Sequence, residues 1–193
     1  PVVRVSFPAK ALAEWAKRQP GGIVEIRAGD AAYLLPVSLI ADAAADAVVT
    51  VEIARANAQT SADVAAAASA RDATPLLAAP IGFTLTIGGE EVTDYGGLYV
   101  ERKLTLPAGT DPNAAAAGWI DADNELHFVP SELSSGPGPL TMTVRSLHDS
   151  LYTVVRSDNR FADMENHWAR ADAKLLADKL IANGVADGEF APE

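Results

Sequence analysis

The sequence predicts an α+β protein: a β-sandwich-like module with two or three covering helices, followed by a short helical segment. Strand-like alternation of apolar and polar residues recurs at short intervals, most densely after Pro80. Glycine pairs and Asp/Asn/Gly dipeptides punctuate the strands as hairpin turns. From residue 161 the apolar spacing changes from the strand period to the helical one.

Residues 2–7, VVRVSF, are β-branched and read as a strand. After Pro8, Leu12 and Trp15 sit three apart beside Ala11, the pattern of a short amphipathic helix that Pro20-Gly21-Gly22 ends. IVEIRA (23–28) is a strand, and Gly29-Asp30 turns the chain into AYLLP. Pro36 then opens a helix through Ile40 and the following alanines, before the strand VVTVEIARA (48–56). SADVAAAASARD is a second alanine-rich helix with Thr60 or Ser61 as its cap.

IGFTLTI and Gly88-Gly89 begin a hairpin, and LYVERKLTL (98–106) is a long alternating strand. GWIDAD and ELHFVP form a second hairpin around Asp123-Asn124. The loop SELSSGPGP leads into LTMTVRSL and LYTVV, and the polar joint RSDNR (156–160) closes the module. The expected division is therefore 1–156, a β-rich stalk or spacer, and 157–193, a helical segment. Asp163 or Asn166 is expected to cap the last helix, and Asn183-Gly184 to end it. Ala169, Ala173, Leu176 and Leu180 form its apolar stripe, with Trp168 and Leu175 beside it.

Composition narrows the function. Of 193 residues, 49% are hydrophobic but only 6% aromatic, so the few large side chains should mark the packing centres. The net charge of -11 opposes non-specific nucleic-acid binding and adsorption to anionic lipid. The chain has no cysteine, which excludes disulfides, thiol catalysis and cysteine-ligated zinc. No apolar run is long enough to span a bilayer as a helix, so membrane insertion is not expected. No secretory leader is recognised at the start, and the end at Pro192-Glu193 reads as mid-motif, so the chain reads as a piece of a longer protein.

The last segment carries the most specific pattern. Phe161-x-Asp163, His167-Trp168-Ala169, Leu176-Ala177, Gly184 and Gly188-x-Phe190-x-Pro192 together resemble the first part of an S-layer homology repeat. The resemblance implies an exported, non-catalytic protein of the cell wall or S-layer. Such repeats usually come in threes, and the grooves between them bind a pyruvylated secondary polymer of the Gram-positive wall. Lattice or self contacts are a further implied partnership, and no cofactor is implied. The Thr-Arg-Ala-Glu stretch that follows the final proline in the family lies beyond this sequence, as do further repeats. Wall binding is thus expected of the complete region rather than of this chain alone. Trp168 is expected in the core and His167 in a structural turn. Upstream, Phe128-Val129-Pro130-Ser131 and Ser150-Leu151-Tyr152-Thr153-Val154 resemble the extracellular module that often precedes these repeats in Paenibacillus-like surface proteins.

Other constellations bear on chemistry. His148-Asp149-Ser150 resembles the cleavage tripeptide of GAIN-type autoproteolytic modules, with His148 as base, Ser150 as nucleophile and the cut after Asp149. The mammalian modules usually have leucine at the middle position, and a plain polar turn is the preferred reading. Asp121-x-Asp123-x-Glu125 approaches a calcium loop but lacks the turn glycine and the distal glutamate, so a hairpin turn is preferred there too. His127 has no evident second or third metal ligand, and no metal site is expected. Glu90, Glu91 and Asp94 read as a solvated turn rather than a glycosidase pair. Trp15, Trp119, Tyr95 and Tyr99 would form a stacking platform if the module bound carbohydrate or protein.

Overall fold

The computed structural model describes residues 1–134, 136–186 and 188–192. Ser135 of the 131–139 loop, Asp187 of the Asp187-Gly188 turn and the terminal Glu193 lie outside them. The elements in chain order are β1 (Val2–Pro8), α1 (Ala9–Arg18), β2 (Ile23–Ala28), β3 (Ala31–Pro36), a 3-10 turn (Val37–Ile40), β4 (Val48–Arg55), α2 (Ala58–Ser69) and β5 (Ala73–Pro75). Then come β6 (Ile81–Ile87), β7 (Glu90–Glu91), β8 (Val100–Thr105), β9 (Ala115–Ile120), β10 (Leu126–Phe128) and β11 (Ser131–Leu133). β12 (Thr141–Ser146), β13 (Leu151–Ser157), a second 3-10 turn (Ala162–Met164) and α3 (Arg170–Asp178) complete the chain.

Two antiparallel sheets form the module. One has the order β1-β4-β6-β13-β9-β10, with β5 added on β13 and β7 on β6. The other runs β11-β12-β8-β3-β2. Their alternating strands turn one face inward: Ile81, Phe83 and Leu85 of β6 and Val100, Arg102 and Leu104 of β8 are all buried. The main core draws on both sheets, and the Tyr33 and Phe83 rings meet across it at 6.0 Å. The arrangement is thus sandwich-like and mainly β, with three α-helices among the described residues. β13, near the centre of the larger sheet, is buried from Tyr152 to Val155 on both faces, Thr153 included. No helix is long and apolar enough to cross a membrane, among the described residues.

The hairpins fall where the turn residues place them. Gly88 and Gly89 take positive φ between β6 and β7, and Asn124 takes φ 62° between β9 and β10. The helices differ in detail. Pro36 starts only one 3-10 turn, because the alanines that follow include exposed positions and offer no apolar stripe to bury. α2 begins at Ala58, earlier than expected. Its cap is Asn57, whose side chain accepts the Thr60 N–H at 2.9 Å. Val64 and Ala68 of α2 pack with Ala116, Ile120 and Leu126 of the larger sheet.

The last helix is shorter than the sequence suggests. It is preceded by a 3-10 turn, has no side-chain cap and stops at Asp178. Leu180, not Gly184, provides the left-handed residue, with φ 63°. The reason lies in packing: this conformation sends the Leu180 side chain into the α2 cluster, where it is 2% exposed.

Candidate functional site

The segment from Phe161 to Pro192 folds back on itself through its motif residues. Phe161 and Phe190 rings lie 5.2 Å apart, and Met164, Ala173 and Ala177 complete a small core with them. The Asp163 carboxylate accepts the Phe190 N–H at 3.0 Å and the Ala191 N–H at 2.7 Å. Those two amides hold its carboxyl below the usual aspartate range. Gly188 takes φ 68°, and its carbonyl accepts the Ala162 N–H at 2.8 Å. Gly184 sits where a Cβ would lie 2.5 Å from the Glu189 carbonyl oxygen and 3.0 Å from the Phe161 ring. Only glycine fits that approach without displacing backbone. Ala169 is half-buried against the same core, and Pro192 is half-buried beyond it. His167 ends the turn: its N–H donates to the Met164 carbonyl, and its Nδ1 accepts the Ala169 N–H.

Two positions correct the expected stripe. Trp168 is 87% exposed rather than buried, and Leu176 is 40% exposed. The buried stripe is Ala173, Ala177 and Leu180, because small side chains admit Phe161 and Met164 from the preceding turn. Leu175, Ile181 and Val185 are exposed as well, so the segment shows an unusual amount of apolar surface.

This segment is bolted to the module. Leu180 shares the α2 cluster with Ala116, Leu126 and Val155. The Arg71 guanidinium donates to the carbonyls of Leu126 at 2.7 Å and Leu180 at 3.0 Å, which ties α2, β10 and the segment together. Lys179 donates to the Ala115 carbonyl at 2.8 Å. In the joint, Asp178 accepts the Asn159 N–H at 2.7 Å and the Lys174 ammonium at 2.6 Å. A cleft of about 480 Å³ opens between α2 and the segment, with Arg71, Asn159 and Asn183 on its walls.

The His148-Asp149-Ser150 turn is built around its middle residue. Asp149 is nearly inaccessible and pairs with the fully buried Arg102 at 2.6 Å. Its second oxygen accepts the Leu85 N–H at 2.7 Å. The Arg102 guanidinium lies 5.1–5.7 Å from the ring centroids of Tyr33, Tyr152 and Tyr95 and donates to the Tyr95 hydroxyl. Burial pushes the Tyr33 and Tyr95 phenols up, and the nearby Asp149 charge pushes the same way. The Ser150 hydroxyl donates to the Ile120 carbonyl at 3.0 Å, an acceptor that cannot serve as a base. His148 Nδ1 faces the Asp149 carbonyl oxygen at 3.2 Å instead of that hydroxyl proton.

The proposed aromatic platform does not assemble. Tyr95 is buried beside Arg102, Tyr99 is exposed, Trp15 is half-buried against Gly22, and Trp119 stacks on His127. Glu90 and Glu91 are exposed on β7, and Asp94 accepts the Gly96 N–H in the following turn.

At the β9–β10 tip, by contrast, the fold brings His127 to the acidic pair Asp121 and Glu125. Asp121, Glu125 and His127 bring their ligand-type atoms within 4.8 Å of one another. His127 Nε2 lies 2.6 Å from Asp121 Oδ2, while Asp121 Oδ1 accepts the N–H groups of Glu125 and Asp123. The His127 contact, then those amides, hold the Asp121 carboxyl below its usual range.

No protein-family model matches the chain. An amylopullulanase of Thermoanaerobacterium thermosulfurigenes is 27% identical over 94 residues, which cover 48% of this chain and 5% of that protein. The chain therefore spans a small fraction of the curated relative it matches.

Proposed function

We propose that this chain is a non-catalytic stalk of a bacterial surface protein, leading into a wall-anchoring region of S-layer homology repeats. The observation that carries this reading is the closure of residues 161–192 through its motif residues. Phe161, Asp163, Gly184, Gly188 and Phe190 contact one another across the segment, rather than merely recurring in sequence. The rigid seating of that segment through Leu180, Arg71 and Lys179 suits a spacer that must transmit load to an anchor. Trp168, Leu175, Ile181 and Val185 then provide apolar surface against which further repeats pack. The completed anchor holds secondary wall polymer through many weak contacts, strengthened by avidity across a lattice. A match covering 5% of a much longer enzyme fits an accessory module carried by different parent proteins.

Co-sedimentation with purified Gram-positive walls tests the reading. The parent protein with its complete repeat region should pellet with intact walls and stay soluble after acid removal of the secondary polymer. This chain alone should stay in the supernatant. Failure of the complete protein to pellet with intact walls would refute the anchoring role.

A further inference from the structure

We propose that Asp121, Glu125 and His127 form a site for a first-row divalent cation, zinc above all, at the tip of the β9–β10 hairpin. The donor set is an imidazole nitrogen and two carboxylate oxygens, all mutually within 4.8 Å. A zinc ion sits about 2.0–2.2 Å from such donors, which places them roughly 3–4 Å apart around it. Small side-chain rotations close the difference.

The scaffold under the donors is already fixed. The Asp121 N–H donates to the Glu125 carbonyl at 3.1 Å, and the Glu125 N–H donates back to Asp121 Oδ1 at 2.8 Å. His127 lies on β10 opposite Trp119, and its ring stacks on the indole at 4.7 Å with an interplanar angle of 26°. Its Nε2 is therefore aimed at the Asp121 carboxylate before any ion arrives. A cation would bridge these two groups in place of their direct contact.

Electrostatics favours the same occupant. Among the described residues neither Asp121 nor Glu125 has a Lys or Arg within ion-pair distance, and the nearby Arg71 guanidinium is committed to main-chain carbonyls. The imidazole selects against calcium and magnesium, which prefer all-oxygen shells. The exposed Glu125 side leaves open coordination positions for water. The consequence reaches beyond the tip. Leu126, next to Glu125, packs with Leu180, and its carbonyl shares Arg71 with the carbonyl of Leu180. A bound ion thus stiffens the ledge on which the C-terminal segment rests.

Isothermal titration of the metal-free chain with zinc chloride tests the site, together with NMR of the His127 imidazole and Trp119 indole. One equivalent of zinc should bind and shift both sets of resonances. Glu125→Gln, an exposed and fold-neutral change, should weaken binding at least tenfold. His127→Ala should abolish it, and His148→Ala, whose ring meets Trp119 at 4.9 Å in a T-shaped contact but lies outside the donor set, should leave it intact. A large excess of calcium should not displace the zinc. Absence of binding, equal binding by Glu125→Gln, or loss on His148→Ala would each overturn the assignment.

Discussion

Replacing Asp149 by alanine removes half of an ion pair that spans the sandwich. Arg102 comes from β8 in the smaller sheet, while Asp149 precedes β13 and accepts the Leu85 N–H of β6 in the larger one. The two side chains are 0% and 4% exposed, so solvent does little to screen or replace the pair. In Asp149→Ala the guanidinium stays buried among Tyr33, Tyr95 and Tyr152 with no carboxylate partner. Its Nε is already without an acceptor among the described residues, so the remaining partners cannot absorb the loss. Breaking one side of a buried pair costs about 3–5 kcal/mol. The orphaned Leu85 N–H pushes the cost toward the upper end of that range. For a chain of this size, with each kcal/mol worth about 2–4 °C, the melting temperature should fall by roughly 6–20 °C. Urea unfolding followed by circular dichroism measures the free energy directly. The double variant Arg102→Met/Asp149→Leu removes both charges and should recover at least half of the loss, because apolar pairs often match buried ion pairs in stability. A loss below about 1 kcal/mol in Asp149→Ala would refute the reasoning, since a loss so small is the signature of an exposed pair.

Two further changes probe the C-terminal segment. Gly184→Ala places a Cβ against the Glu189 and Ala186 carbonyl oxygens and should cost about 1–3 kcal/mol. Faster hydrogen exchange at the Val185 N–H, which now donates to the Glu189 carbonyl at 2.9 Å, would report it. Unchanged exchange would show that the turn accommodates a methyl group. Asp163 has a folded pKa below its unfolded value, so its contribution is complete above the ordinary aspartate range and fades as pH falls through the lowered value. The Phe190 and Ala191 amide resonances should therefore titrate together below the usual aspartate midpoint of about 3.9, and Asp163→Asn should abolish that titration. A midpoint at or above the ordinary value would contradict the capping geometry.

Strands such as β6, β8 and β12 were legible because each buries one face. IGFTLTI hides Ile81, Phe83 and Leu85 and leaves the residues between them only partly covered, so period-two alternation locates β6 within a residue. The same parity carried an unused signal. Arg102 stands between Val100 and Leu104, on the inward register of β8, which demands a buried countercharge. The identity of that countercharge was not legible, because Asp149 is distant in sequence and meets Arg102 only when the sheets pack. The same pairing fixes the His148-Asp149-Ser150 turn through its middle residue. The middle residue serves the core, and the Ser150 hydroxyl is bonded to the Ile120 carbonyl.

The C-terminal segment shows where local periodicity stops being informative. Weighting by size puts Trp168 and Leu176 inward, whereas the fold buries Ala173 and Ala177 of α3 and turns both large residues outward. The cause is tertiary: Phe161 and Met164 need a flat surface, and Ala173 and Ala177 provide it. Leu180 follows the same logic. A left-handed leucine is costly in isolation, by about 1–2 kcal/mol. Full burial of a leucine side chain contributes about 1.5–3 kcal/mol, enough to offset that strain. Gly184, the residue that sequence alone would choose for this conformation, is instead consumed by the close approach to Glu189. Both choices follow from one requirement, that the segment close on itself and on the module at once. A residue that anchors the segment to the module outranks local propensity in setting where the helix ends.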